Sequence, residues 1–400
     1  MNDRSFKFAL VILLFTSGAC LSGCRDSSER QVPNPAKASA QASPETSAND
    51  DPKPLETIKP EYAGLFTLER YSGGYVRLTV ENEGEFALVP EGAPENDLGL
   101  EKPTFIRLPC ANVYMAASSE IDWFKQLGIL DKITTCGSKA SSFDDEEIST
   151  RFANGQIQYA GKYSAPDYET ILSSKCGLAI ESTMIYHAPK VRERLEELGV
   201  PVFVSRANYE NDPLGRLEWC KVYGVLFGKE REANEFFERA RAEVRDVEAK
   251  LAANPPTTKK KVALFYVTSS GVVNVRKPGD YLCKSLELAG GTYALDELGT
   301  DADDSVSSIS IDWEEFYRLA ADSDLLIYNG AVDSDVNSLD DLIGKNEILK
   351  DFKAVKNGDV WLANMNVYRE ASKTARILTE FYQALADGSV QNAQFLRKLE

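Results

Sequence analysis

Between Pro213 and Asn254 of this chain no segment reads as a β-strand, and from Ala233 onward Phe236, Phe237, Ala240, Val244, Val247 and Leu251 recur in helical spacing, with Glu, Arg and Lys between them. That pattern predicts one long amphipathic helix, ended by Asn254-Pro255-Pro256. On both sides the pattern changes to short apolar runs followed by small or polar residues and then a helical segment. Ahead of it lie Val113–Ala117, Ile133–Cys136, Leu178–Ile180 and Val202–Val204; after it lie Val262–Val267, Leu325–Tyr328 and Val360–Ala363. Such alternation means parallel sheets with helices on their faces. The fold class is therefore α/β, two Rossmann-like lobes joined by a single spine helix, which at about 20 residues reaches roughly 30 Å. Four hundred residues suit two domains better than one. Lobes braced in this way bend little, so a ligand between them sits in a cleft that opens and closes only slightly.

The N-terminal segment is an address. Arg4 and Lys7 precede the apolar run Phe8–Phe15, and the run leads to Leu21-Ser22-Gly23-Cys24, which resembles a lipoprotein cleavage box with Cys24 as the lipidated residue. Residues 1–23 are read as the signal peptide and 24–61 as a disordered tether, since Arg25–Pro60 holds no aromatic residue and prolines at 33, 35, 44, 52, 54 and 60. The expected location is extracytoplasmic, on the cell membrane through a lipid anchor. Around Ser72-Gly73-Gly74 the alternating stretches Phe66–Tyr71 and Tyr75–Val80 predict a small N-terminal β-hairpin. The N-terminal lobe is expected over 62–212, the spine region over 213–256 and the C-terminal lobe over 257–400.

Composition removes several functions. With 45 Lys plus Arg against 62 Asp plus Glu, the formal charge of −17 repels phosphate backbones, so no nucleic-acid partner is expected. One histidine, His187, leaves no multi-histidine metal site, and no Cys-x-x-Cys occurs. No disulfide is assigned among Cys110, Cys136, Cys176, Cys220 and Cys283. Asp333-x-Asp335-x-Asn337 opens like a calcium loop, but Ser338 holds the glycine position and Gly344 that of the bidentate acid. Ser338 with Asp341 reads instead as a helix cap. No phosphate loop, nucleophile elbow or dinucleotide fingerprint is present. No metal and no cofactor is assigned.

Several stretches together carry a family likeness: Gly161-Lys162-Tyr163-Ser164-Ala165-Pro166-Asp167-Tyr168-Glu169, Leu178-Ala179-Ile180-Glu181-Ser182-Thr183-Met184-Ile185-Tyr186-His187, Pro213-Leu214-Gly215-Arg216-Leu217-Glu218-Trp219 and Leu288-Ala289-Gly290-Gly291. From Leu65 to Leu385 the chain resembles the solute-binding lipoproteins of ABC importers for iron-siderophore complexes, haem and cobalamin, the class III periplasmic binding proteins. The resemblance implies a monomer that takes up a small-molecule metal chelate and hands it to an ABC permease and its ATPase. Cobalamin, haem, a ligand-sensing role and, less favoured, an extracytoplasmic hydrolase stand as alternatives. Members of the family carry one exposed acid on each lobe that docks onto arginines of the permease. The match in the first lobe falls on Glu169, with Ser164 able to cap its helix. In the second lobe it falls on Glu314, with Glu315 and Asp312 close behind.

In open α/β sheets ligands gather beyond the carboxyl ends of the strands. That rule nominates Ser118, Ser119, Lys139, Lys162, Tyr163, Thr183, Tyr186, Arg206, Tyr209, Ser269, Arg276, Asn329, Asn364 and Arg369. Cationic and aromatic side chains in an acidic protein predict an anionic, aromatic-bearing ligand, gripped above all by the fork of Arg206. Tyr163, Tyr186 or Tyr209 would be the ligand to a haem iron, and His187 reads as packing or solvated. Glu181 is the one acid well placed in these loops, and a glycosidase needs two.

Overall fold

The computed structural model describes residues 51–253, 258–298 and 307–400. Residues 49–400 form one compact unit. The signal peptide, Cys24, most of the tether and Asn254-Pro255-Pro256 lie outside the described residues.

The body opens with a five-stranded sheet in the order β1 (Pro54–Ile58), β2 (Phe66–Tyr71), β3 (Val76–Val80), β4 (Gly84–Val89), β5 (Thr104–Arg107). β2 and β3 form the expected hairpin about Ser72–Gly74, here part of a larger sheet. β1 lies inside the stretch read as tether. Its residues are almost all exposed, so it owes its place to backbone pairing with β2, and a search for buried apolar patterns passes over it.

The first lobe is built on β6 (Val113–Met115), β7 (Ile133–Cys136), β8 (Gln158–Tyr159), β11 (Leu178–Ser182) and β12 (Val202–Ser205), all parallel in the order β12-β11-β6-β7-β8. A two-stranded hairpin, β9 (Gly161–Lys162) with β10 (Ala165–Pro166), interrupts it. Its helices are α1 (Ile121–Gln126), α2 (Glu146–Ala153), α3 (Tyr168–Ser173) and α4 (Pro189–Glu197). In the spine region α5 (Pro213–Glu218) and α6 (Cys220–Phe227) precede α7 (Glu230–Ala253). The 24 residues of α7 span about 36 Å. It buries Ala233, Phe236, Phe237, Ala240, Val244 and Leu251, the stripe expected except for Val247, which is half-buried. Gly224 lets α6 lie flat on α7, since a Cβ there would come within 2.7 Å of the Ala233 methyl.

The second lobe has β13 (Lys261–Val267), β14 (Val273–Arg276), β15 (Thr292–Tyr293), β16 (Ser308–Ile311), β17 (Leu325–Asn329), β18 (Val360–Ala363) and β19 (Leu396–Lys398). The foreseen β13, β17 and β18 are parallel, while β14 and β19 add antiparallel pairings at the two sides. Its helices are α8 (Tyr281–Leu288), α9 (Trp313–Ala320), α10 (Leu339–Lys345), α11 (Lys353–Asn357), α12 (Asn366–Arg369) and α13 (Thr374–Ala386). One core joins the N-terminal sheet, the first lobe and the spine; a second fills the C-terminal lobe.

Two carboxylate clamps tie the chain ends to this body. Glu218 accepts the N–H groups of Glu61, Tyr62 and Ala63, and Glu210 those of Gly64 and Leu65, at 2.8–3.1 Å. Buried Glu380 accepts from Gln394, Phe395 and Leu396, each at 2.9 Å.

Candidate functional site

All five strands of the first lobe and the three central strands of the second end at edges from which the connecting loops emerge. The large apolar side chains left exposed concentrate there. Of nine such residues among those described, six stand at strand carboxyl ends: Tyr159, Met184 and Tyr186 in the first lobe, Val272, Val332 and Met365 in the second, all between 38% and 56% exposed. Side chains of this size normally find cover in a core, so both lobes present an apolar rim.

The residues nominated from the sequence divide into several groups. Ser118 and Ser119 sit half-buried on the turn after β6, where the Ser119 hydroxyl donates to Glu120 (3.0 Å) and accepts from the Asn208 amide (3.3 Å). The Thr183 and Tyr209 hydroxyls share a hydrogen bond of 2.6 Å. Tyr163 lies at the tip of the β9–β10 hairpin, half-buried, beside exposed Lys162. Lys139 is exposed with its ammonium 5.7 Å from the Tyr159 ring centre. Ser269, Tyr186 and His187 are exposed. The Asn364 amide is spent on the Gln394 carbonyl.

The cations are less available than the sequence suggests. Arg206, expected to grip an anion, is 1% exposed. Its guanidinium lies 4.8 Å over the Tyr209 ring, and Glu83 from the β3–β4 turn brings a carboxyl group near enough to feel its charge. Arg276 is no loop residue: it ends the unforeseen strand β14, stacks 4.7 Å over Tyr368, and pairs with buried Asp280 at 3.2 Å. Asn329 is buried and donates to the Tyr368 hydroxyl at 2.8 Å. Arg369 crosses between the lobes, donating to the Ser142 carbonyl at 2.6 Å and lying 5.6 Å from the Phe143 ring.

A cavity of about 310 Å³ lies where Arg369 makes that crossing. The first lobe contributes Ser118, Ile121, Asp122, Lys125, Phe143 and Asp145, the second Arg369, Glu370 and Lys373. Of the nominated residues, the cavity brings together Ser118 and Arg369. Its other walls come from helix faces, which the strand-end rule does not see. Asp122 fastens this side by accepting the Ser372 N–H (2.7 Å) and hydroxyl (2.9 Å). Beneath the cleft Arg216, 2% exposed, reaches from α5 to the carbonyls of Val367 and Tyr368 and lies 4.4 Å over Tyr281.

Two acids of the first lobe stand out electrostatically. Glu181 is fully buried and neither carboxyl oxygen has a hydrogen-bond partner; burial pushes its pKa up to about 8. Burial likewise pushes Glu83 up to about 7, opposed by Arg192 and Arg206. Among the described residues no group of three His, Cys, Asp or Glu is arranged to hold a metal ion. In the segment resembling a calcium loop, Asp333 pairs with Lys345 at 2.7 Å, and Ser338 and Asp341 form the expected capping box.

The two docking candidates occupy equivalent places. α3 follows Asp167-Tyr168-Glu169-Thr170-Ile171-Leu172 and α9 follows Asp312-Trp313-Glu314-Glu315-Phe316-Tyr317. In each the Asp caps the helix, accepting from Thr170 N–H (3.1 Å) or Glu315 N–H (2.8 Å), so the cap is Asp167 and not Ser164. Ile171 and Phe316 are buried, whereas Glu169 and Glu314 are exposed. Glu315 is held by Arg318 at 2.7 and 2.8 Å. With Asp312 and Glu315 occupied locally, Glu314 is the acid left open in the second lobe.

Comparisons with known proteins agree with this architecture. The chain is 28% identical over 270 residues to the uncharacterized lipoprotein MJ0878 of Methanocaldococcus jannaschii, covering 64% of this chain and 60% of that one. A second lipoprotein of that organism, MJ0872, is 25% identical over 194 residues and 48% of each chain. The match thus spans less than two thirds of either relative. A periplasmic heme binding protein from Pseudomonas aeruginosa superposes with a TM-score of 0.55 at 19% identity, over 73% of this chain and 99% of that one. A possible iron-binding (periplasmic solute-binding) protein from Staphylococcus epidermidis does so with 0.54 at 16%, over 69% and 98%. These structures share the class III fold of two α/β lobes and a spine. Residues 113–365 match the sequence model of the periplasmic binding proteins, and the chain belongs to that family.

Proposed function

We propose that the protein is a lipid-anchored, extracytoplasmic solute-binding component of an ABC importer, capturing an iron complex of siderophore type and delivering it to the permease without transforming it. The observation that carries the reading is that each lobe leaves large apolar side chains exposed at its strand carboxyl ends, Tyr159, Met184 and Tyr186 in the first and Val272, Val332 and Met365 in the second. A cargo with a broad aromatic or aliphatic shell covers such surface, at roughly 25 cal/mol per Å² removed from water. Polar groups beside the first-lobe residues, among them the Thr183–Tyr209 pair and Lys139, supply orientation. No helix among the described residues is long and apolar enough to cross a membrane; attachment is assigned to Cys24.

Haem is the second reading, favoured by the exposed phenol of Tyr186 two residues from Met184. A titration of the chain lacking residues 1–24 with ferric catecholates, haemin and cobalamin, followed by tryptophan fluorescence, separates these cargoes. Trp313 stands at the second rim, its indole N–H donating to the Gly271 carbonyl at 2.9 Å, so an absorbing cargo quenches it. Saturable quenching by an iron chelate is expected; no quenching by any of the three overturns the reading. Cys24→Ala releases the protein from the membrane fraction if the anchor is assigned correctly.

A further inference from the structure

We infer that a cavity on the reverse side of the second lobe is a further binding site, separate from the cleft, for the phosphate group of a small organic phosphate. The site goes beyond cargo capture and does not depend on it. The cavity measures about 680 Å³, against about 310 Å³ for the one that Arg369 crosses. Lys259 and Lys260 line it from the chain entering β13, Asp324 from just ahead of β17 and Lys353 from the start of α11; the ends of α8 and α13 close it. β13, β17 and β18 run parallel. These positions therefore lie at the amino ends of the strands, whereas the cleft loops leave the carboxyl ends.

In a chain of formal charge −17 the wall of this cavity holds three lysines and a single acid. That acid is already engaged. One Asp324 oxygen accepts the Lys261 N–H at 2.8 Å and the other the Lys353 ammonium at 2.6 Å. Burial works to raise the Asp324 pKa, but these bonds and the charges of Lys353 and Lys260 hold it below the ordinary carboxylate range. The Lys261 ammonium goes to Asp322 at 2.6 Å. Lys259 and Lys260 make no ion pair among the described residues, so two lysines line the cavity with no carboxylate of their own.

The rest of the wall is apolar. Ala289 and Leu385 are buried, and half-buried Tyr382 stands with them, its hydroxyl making no hydrogen bond among the described residues. Gly290, at φ +91°, turns the chain out of α8 without adding a side chain to the wall, which gives the Leu288-Ala289-Gly290-Gly291 stretch a place beside the cavity. Ammonium groups act as point charges on phosphate oxygens and lack the planar fork that matches carboxylates. A phenol adds a donor, and Ala289 with Leu385 gives an organic group apolar surface to cover. A phosphate ion alone fills little of 680 Å³, a volume in the range of sites that take whole small molecules. A soluble phosphomonoester and a phospholipid headgroup offer the same chemistry.

The test is calorimetric titration of the full-length lipoprotein in neutral detergent with phenyl phosphate and with dihexanoyl-phosphatidylglycerol. Saturable binding of the first alone assigns a soluble phosphomonoester, of the second alone a lipid headgroup, and of both a site that reads phosphate whatever carries it. In each case Lys259→Gln with Lys260→Gln is expected to weaken binding about ten-fold or more, and Tyr382→Phe about three-fold, with melting as in the parent. Saturation with haemin or a ferric catecholate is expected to leave the titration unchanged. No saturable binding of either probe overturns the site. Binding that survives the double Gln variant at full strength, or that cargo displaces, puts the anion elsewhere and overturns it as well.

Discussion

Each lobe carries an arginine laid over a tyrosine, Arg206 over Tyr209 at 4.8 Å and Arg276 over Tyr368 at 4.7 Å. Around Arg276 everything is fastened: Asp280 pairs with it, Ser307 accepts from it, Asn329 holds Tyr368, and Arg216 ties the Tyr368 carbonyl to the spine. Beside Arg206, on the same sheet, Glu181 lies buried with no partner for either oxygen. The second lobe's unit is thus a structural joint with the spine, whereas the first lobe holds in Glu181 a buried group whose energy changes with its proton.

The contrast breaks most readily at Arg276. Arg276→Ala strands Asp280, whose side chain is fully buried, and is expected to destabilise the fold by about 3–5 kcal/mol; denaturant unfolding measures it, and a loss under 1 kcal/mol would make the joint ornamental. Next comes Glu181. Between the ordinary carboxyl value of 4.5 and about 8 the unfolded chain has released a proton that the folded chain keeps. Folding therefore takes up a proton there, and stability falls as pH rises through that window. Glu181→Leu is expected to be more stable than the parent at pH 8, by on the order of 3 kcal/mol, with the gap closing below pH 4.5. A gap that does not vary with pH would mean that Glu181 ionises normally in the fold.

Arg206→Ala is expected to weaken binding of an anionic chelate about ten-fold, since a charge-assisted bond contributes ~1.5–3 kcal/mol, and to lower the melting point as well, because the side chain is 1% exposed. Intact affinity with a lowered melting point would make Arg206 a joint like its counterpart. Smallest of all, Tyr368→Phe removes the 2.8 Å bond from Asn329 and is expected to cost about 1 kcal/mol.

The parallel strands and the long helix were legible because each buries its own apolar pattern: β13, β17 and β18 are nearly continuous apolar runs, and α7 keeps its spacing for about five turns. β14, β16 and β19 were not, because flanking strands are defined by their neighbours' backbone more than by their own side chains; the Ser308–Ile311 strand has no fully buried residue. At the site, chemistry was legible and availability was not. Arg206 and Arg276 were visible as cations beside strands, but Glu83 and Asp280, which decide whether those cations face cargo or protein, reach them only through tertiary folding. The cavity wall built by Asp122, Lys125, Glu370 and Lys373 was hidden for the same reason.

The clamp that Glu210 and Glu218 place on residues 61–65 also settles the path of mechanical load. With the attachment proposed at Cys24, a pull on the chain would pass through β1, paired with β2, into five amides held by acids next to and within α5. It would arrive on the spine, the element common to both lobes, ahead of the parallel sheet of either one. Such a clamp would shield the cleft from its own leash, letting the protein swing about that point without prising cargo loose.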